Sequence, residues 1–204
     1  MQLQRGCRDT LRWLILVSLD RMKQLGFALL SVFLVAALLA EDRFWKDENG
    51  NLAPNTEARS AVSGFGGWLV VTSDADWRSK WETPSNTVPR FTEVKAVARG
   101  KHIFILTFFA NPKLTEKGIA DVACDIDVIR PDGTSSVHQT DALCFRGELK
   151  GTPTNVYLSA PILDFIGEEN DPGGKWLVQI TLKDNNRHVS LPLKTSFILI
   201  DKTV

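Results

Sequence analysis

DVACDIDVIRPDGTSSVHQTDALC, Asp121 to Cys144, is the stretch that decides the fold. Val122, Cys124, Ile126 and Val128 alternate with Asp121, Ala123, Asp125 and Asp127. Because successive side chains of a strand point to opposite faces, this is a strand with one face in a core and a carboxylate face in solvent. Pro131-Asp132-Gly133 then reverses the chain, Pro presetting φ and Gly accepting positive φ. Cys124 points with the apolar set and its two neighbouring aspartates point away, so a metal centre joining thiol to carboxylates would have to reach through the sheet. A disulfide between Cys124 and Cys144 is the expectation. Closing a loop of this length stabilises by about 3 kcal/mol on the chain-entropy model. A two-residue turn centred on Asp132-Gly133 would set Cys124 opposite Asp141, about 10 Å short of Cys144 along the strand. The return strand must therefore bulge or leave the ladder between Asp141 and Leu143.

An oxidising compartment supports that staple. From Met22 the chain reads MKQLGFALLSVFLVAALLAED: a lysine, an apolar run from Leu25 to Leu39, then Ala40 and an acidic pair. That is the order of a secretory signal peptide, with cleavage after Ala40 or after Ala37. The apolar run is shorter than the roughly 20 residues a transmembrane helix needs. Residues 1–21 are either a mis-annotated start upstream of Met22 or a long basic n-region, in which case an uncleaved anchor becomes possible. The expected organisation is thus 1–21, a signal peptide over 22–40, an extended N-terminal arm over 41–63 and a sandwich domain over 64–204. From Glu41 onward the chain carries 19 Lys/Arg against 22 Asp/Glu, a net charge of −3. Without a basic run, a nucleic-acid partner is not expected. Membrane contact is expected only through the N-terminal segment, if it stays uncleaved.

Elsewhere the grammar is also β. His102–Phe109 is apolar on both parities, as a strand covered on both faces would be. Trp176, Val178, Ile180 and Leu182 alternate, and so do Val189, Leu191 and Leu193. Asp184–Arg187 turns the chain between them, and Pro192 marks the last strand as an edge or a bulged one. Gly64-Phe65-Gly66-Gly67, before Trp68–Thr72, reads as a hinge or bulge at a strand start. The convincing helical turn lies near residues 74–82, with Ser73 and Asp76 as a capping pair and Trp77 and Trp81 on one face. Eight or nine short strands with almost no helix make an all-β, two-sheet sandwich.

DIDVIRPDGT, DPGGKWLVQITLKD and VSLPLKTSFIL resemble the closing strands of immunoglobulin-like modules in exported bacterial proteins. The resemblance spans about residues 92–200 and implies an immunoglobulin-like sandwich. That architecture hosts adhesins, inhibitors, chaperone subunits and enzyme accessory domains, so it implies no single activity.

Chemistry-bearing motifs are sparse. His102, His138 and His188 lack a local partner at ligand spacing, and neither HExxH nor G-x-S-x-G occurs. Glu168-Glu-Asn-Asp171 lacks the oxygen spacing of a calcium loop. No catalytic residue, metal site or cofactor is therefore expected. Trp45, Trp68, Trp77 and Trp81 crowd the N-terminal quarter of the mature chain. They are either a lid over the open end of the sandwich or the centre of a contact surface, where tryptophan concentrates binding energy. Trp68, Trp77, Arg78, Lys80 and Trp81 are the candidate partner-binding set. The expected function is a non-enzymatic periplasmic or secreted binding protein, of inhibitor or immunity type, meeting another envelope protein. The alternative is an envelope hydrolase or carbohydrate-binding module.

Overall fold

The computed structural model describes residues 44–46, 49–83 and 89–201. The expected signal helix lies outside the described residues. Among the described residues ten strands, more than the eight or nine expected, build two sheets. The first runs β1 (Arg59–Val62), β2 (Phe65–Thr72) and β4 (His102–Ala110), with β7 (Val156–Leu158) and β8 (Leu163–Ile166) both paired to the far edge of β4. The second runs β3 (Ala96–Ala98), β10 (Val189–Ile200), β9 (Gly174–Asp184), β5 (Ile119–Ile129) and β6 (Ser135–Glu148). Every pairing is antiparallel except β3 with β10. The chain is an all-β sandwich.

The core follows from alternation. Cys124, Ile126 and Val128 of β5, Trp176 and Ile180 of β9, and Leu191 and Phe197 of β10 are all buried and face Leu69, Ile103, Ile105 and Phe109 of the first sheet. Burying each large apolar side chain is worth roughly 1.5–3 kcal/mol. Trp176 anchors one end, its ring edge-on to Phe165 at 4.9 Å and stacked on Phe197 at 6.1 Å, while its indole N–H donates to the Pro172 carbonyl. The both-parity reading of β4 holds. Ile103, Ile105 and Phe109 enter the main core, while Leu106 and Phe108 enter a second apolar layer on the outer face.

Local geometry corrects several expectations. Ser63 and Gly64, with φ of 49° and 76°, form the two-residue turn between Val62 and Phe65. This is the type I′ geometry that suits a twisted hairpin. Gly66 and Gly67 are therefore not a hinge; they lie inside β2, where the absent side chains permit close approach. A Cβ at Gly67 would sit 2.7 Å from Leu182 Cδ1, and one at Gly66 would sit 2.8 Å from Phe44 Cδ1. The arm is not simply extended either: its last residues are β1, and Trp45 folds back with its indole N–H on the Ser60 carbonyl.

The β5–β6 turn has three residues, not two. Arg130 N–H donates to Thr134 O, Gly133 N–H donates to Arg130 O, and Gly133 has φ 87°. Register shifts then follow along β6. Val128 pairs with Val137 but Ile129 with Ser135; Cys124 pairs with Ala142 but Ile126 with Gln139; Val122 pairs with Phe145 but Ala123 with Leu143. Each shift inserts one extra β6 residue, and the last of these is Cys144. The expected irregularity of the return strand is present, spread over three bulges. Bulges also twist an exposed edge strand away from pairing with other chains.

Pro192 is explained by the ladder. Lys194 N–H points away from β9 and donates to Glu57 O at 2.7 Å. By alternation, residue 192 also faces outward. Its missing N–H costs β10 no ladder bond, because β3 pairs only with Ile198–Ile200.

Candidate functional site

Three surfaces gather the side chains that could carry function. The first is the outer aromatic layer of the first sheet. Helix α1 (Trp77–Trp81) is shorter than the 74–82 turn expected, and it does not lid the open end of the sandwich. It lies on the outer face of β2 and β4, where Trp77 is buried with Val70, Leu106 and Phe108. Trp68, Trp81 and Phe91 are half-buried, and each meets the Phe108 ring, at 5.5, 5.1 and 5.8 Å. The Arg78 guanidinium sits 4.7 Å over the Trp77 ring. Asp76 occupies the N-cap without a side-chain hydrogen bond, so the expected Ser73–Asp76 capping pair is absent. Asp74 does the anchoring instead. Its carboxylate accepts from Lys80 Nζ at 2.8 Å and from Thr92 N–H at 2.7 Å. Partial burial pushes the Asp74 carboxyl up, but the Lys80 ammonium and the Thr92 and Thr72 hydrogen bonds outweigh it and hold it at about 2. Lys80 is thereby committed to Asp74 and Asp76.

The second surface is the carboxylate face of β5. Lys183 Nζ bridges Asp125 and Asp141 at 2.7 Å each, His138 meets Asp127 at 2.6 Å, and Arg146 meets Asp121 at 2.6 Å. The Lys183 ammonium and the Asp141 backbone N–H hold the Asp125 carboxyl below its ordinary range. The hydrogen bond to Asp127 raises the His138 imidazole. This is an ion-paired sheet face rather than a free solvated one, and exposed pairs of this kind contribute little stability each. His102 makes a similar exposed contact with Asp164 at 3.0 Å. Among the described residues, no group of three or more His, Cys, Asp or Glu stands close enough to hold a metal ion.

The third surface was not visible in the sequence. The edges of β2 and β10 run side by side, and two short segments span the gap between them. At one end Ala58 O accepts from Leu69 N–H and Glu57 O accepts from Lys194 N–H. At the other end Val94 N–H donates to Val71 O and Ile198 N–H donates to Lys95 O. The frame encloses a groove of about 650 Å³, floored by Leu69 and Val71 and rimmed by Lys95, Lys175 and Lys194. Its residues come from five separated parts of the chain, so no local motif could have announced it.

A buried clamp was also missed. Asp184 is fully buried, and its carboxylate accepts from Lys113 N–H, Arg187 N–H and Arg187 Nε. The other Arg187 nitrogens donate to the Ser63 and Asn111 carbonyls, tying three turns together at one end of the sandwich. Cys124 and Cys144 form the expected disulfide, with Cα atoms 5.8 Å apart, and both are buried. Among the described residues, no helix is long and apolar enough to cross a membrane.

No protein-family model matches the chain, and no curated protein does. Among solved structures, the chain is similar to a family 123 glycoside hydrolase from Clostridium perfringens, at 9% identity and a TM-score of 0.40. That match covers 67% of this chain and 28% of the hydrolase, so the chain spans under a third of that enzyme's length. It is also similar to a Niemann-Pick type C2 protein from the Japanese carpenter ant, at 10% identity and a TM-score of 0.33, covering 66% of this chain and 89% of that one.

Proposed function

We propose that this chain is an exported, non-enzymatic binding or accessory protein, of inhibitor or immunity type, that acts by contact with another protein of the cell envelope. The observation that carries the reading is the outer aromatic layer. The sandwich closes its main core with Trp176, Phe165 and Phe197 and does not need Trp68, Trp81 or Phe91 for it. These three rings are half-buried around Phe108, beside the helix that the Asp74–Lys80 pair anchors, and flanked by the exposed residues Arg78 and Glu82. Partly exposed tryptophans with a charged rim are the composition of an interface centre. The buried disulfide supports an oxidising compartment. The envelope-hydrolase alternative has no comparable feature among the described residues.

The test is capture from envelope extracts by the tagged chain and by its Trp81→Ala variant, with folding checked by circular dichroism. A protein retained by wild type and released by the folded variant supports the reading. Equal retention by both moves the contact off the aromatic layer. N-terminal sequencing of envelope material settles export: a chain starting at Glu41 or Leu38 supports it, and one retaining Leu25–Leu39 means an anchored protein.

A further inference from the structure

We infer that the groove between β2 and β10 is a binding site for a small amphiphile with one anionic head, such as a carboxylate or phosphate on an alkyl chain. The inference is independent of the protein-contact reading, because the aromatic layer lies on the outer face of β2 and β4 and the groove lies at the β2–β10 edge.

The frame decides what size of occupant fits. Extended peptides bind sheet edges by adding a strand, which needs a run of free backbone groups. Here the outward N–H groups of Lys194 and Ile198 are already taken by Glu57 O and Lys95 O. By alternation only Ser196 lies between them with its backbone facing the groove. One residue cannot hold a strand, so the groove excludes an added peptide and suits a small molecule. Its volume of about 650 Å³ lies within the roughly 300–1,000 Å³ of small-molecule sites.

The lining decides the chemistry. Leu69, Val71, Val94 and Leu177 are apolar, Ile198 is 46% exposed, and the three lysines Lys95, Lys175 and Lys194 outnumber the two lining carboxylates, Glu57 and Glu93. Ile198 is flanked by Lys175, its partner across the β9–β10 ladder, and by Lys95, whose carbonyl takes its N–H. Lys194 is braced by Glu57 at 3.8 Å, whereas Lys95 and Lys175 have no carboxylate partner among the described residues. Two unpaired ammonium groups beside an exposed isoleucine, above an apolar floor, complement an anionic head on an alkyl tail.

The test is calorimetric titration of the purified chain with monomeric dodecanoate, below its aggregation threshold, and with dodecyltrimethylammonium as the same tail under a cationic head. The expected result is one saturable dodecanoate site, weakened at least roughly tenfold by Lys95→Glu/Lys175→Glu, with no comparable cationic binding. Both lysines are exposed, so the double variant should keep the wild-type thermal midpoint. Ser196→Phe, which fills the groove, should abolish binding and serves as the second variant. Sedimentation with vesicles of phosphatidylglycerol separates a free amphiphile from a membrane surface. Absence of dodecanoate binding, equal binding by the double variant, equal binding of the cationic analogue, or binding to vesicles alone would each overturn the inference.

Discussion

Cys144 reaches Cys124, Cα to Cα 5.8 Å, from a position with no partner residue on β5, because it is the extra residue of the third bulge in β6. Without those shifts a three-residue turn would set Cys124 opposite Thr140, four residues short. The bulges that blunt an exposed edge strand thus also bring the second cysteine inside, and the covalent bond holds the irregular strand to its neighbour.

Replacing both cysteines, Cys124→Ser/Cys144→Ser, should lower stability by about 2–5 kcal/mol. Urea unfolding measures the loss. Because both sulfurs are buried, mild reductant should leave the bond intact until the protein is unfolded. Reduction at the same rate with and without urea would contradict the packing.

The Asp74 carboxylate, held at about 2 when folded against an ordinary 3.8, links helix α1 to pH. A depressed folded value contributes stability that is complete above the unfolded value and is lost as pH falls through the folded one. The contribution is about 2 kcal/mol at neutral pH, little screened by solvent because the Asp74 side chain is only 11% exposed. Asp74→Asn should therefore cost about 2 kcal/mol at pH 7, with the difference from wild type shrinking below pH 4 and falling to under about 0.5 kcal/mol near pH 2. Denaturant curves at those three pH values check it, and a gap undiminished at pH 2 would refute it.

Breaking the Asp184–Arg187 pair, whose carboxylate is fully buried, should be the most damaging polar change. Asp184→Ala strands the Lys113 and Arg187 backbone N–H groups and removes the counter-charge of a guanidinium that keeps its bonds to the Ser63 and Asn111 carbonyls, at a cost of about 3 kcal/mol. Arg187→Lys, which keeps the charge but cannot reach Ser63, Asn111 and Asp184 at once, should retain only part of the stability. Full recovery with lysine would show that charge alone matters there.

Within the aromatic layer the two helix tryptophans should separate. Trp77 is buried, so Trp77→Ala should cost about 3–5 kcal/mol. Trp81 is half-buried against Phe108, so Trp81→Ala should cost clearly less and leave a folded chain. Comparable losses in the thermal midpoint would make Trp81 a structural residue like Trp77.

Much of the fold was legible because alternation is a local consequence of strand geometry. Asp121–Val128 displayed its buried and exposed faces in order, and the mixed parity of His102–Phe109 announced a strand covered on both sides. Pro192 announced an edge or a bulge, and β10 is a free edge only along the part that β3 does not cover. The turn at Pro131–Gly133 was legible as a turn but not in length, since Gly133 can serve a two-residue or a three-residue loop. Gly66 and Gly67 misled for a related reason. A glycine permits either an unusual φ or a close approach, and only the position of Leu182 and Phe44 shows that approach is what is needed here.

Sequence alone determined the strand faces, the pairing of Cys124 with Cys144, and the all-β class, each set by side chains near one another along the chain or by the parity of a single strand. Tertiary structure alone decided that α1 lies on the outer face of the first sheet, that Asp184 clamps three turns, and that the β2 and β10 edges frame a groove. Those features join residues far apart in the chain, such as Glu57 with Lys194 and Lys95 with Ile198. Such contacts depend on where whole sheets pack, which no local periodicity encodes.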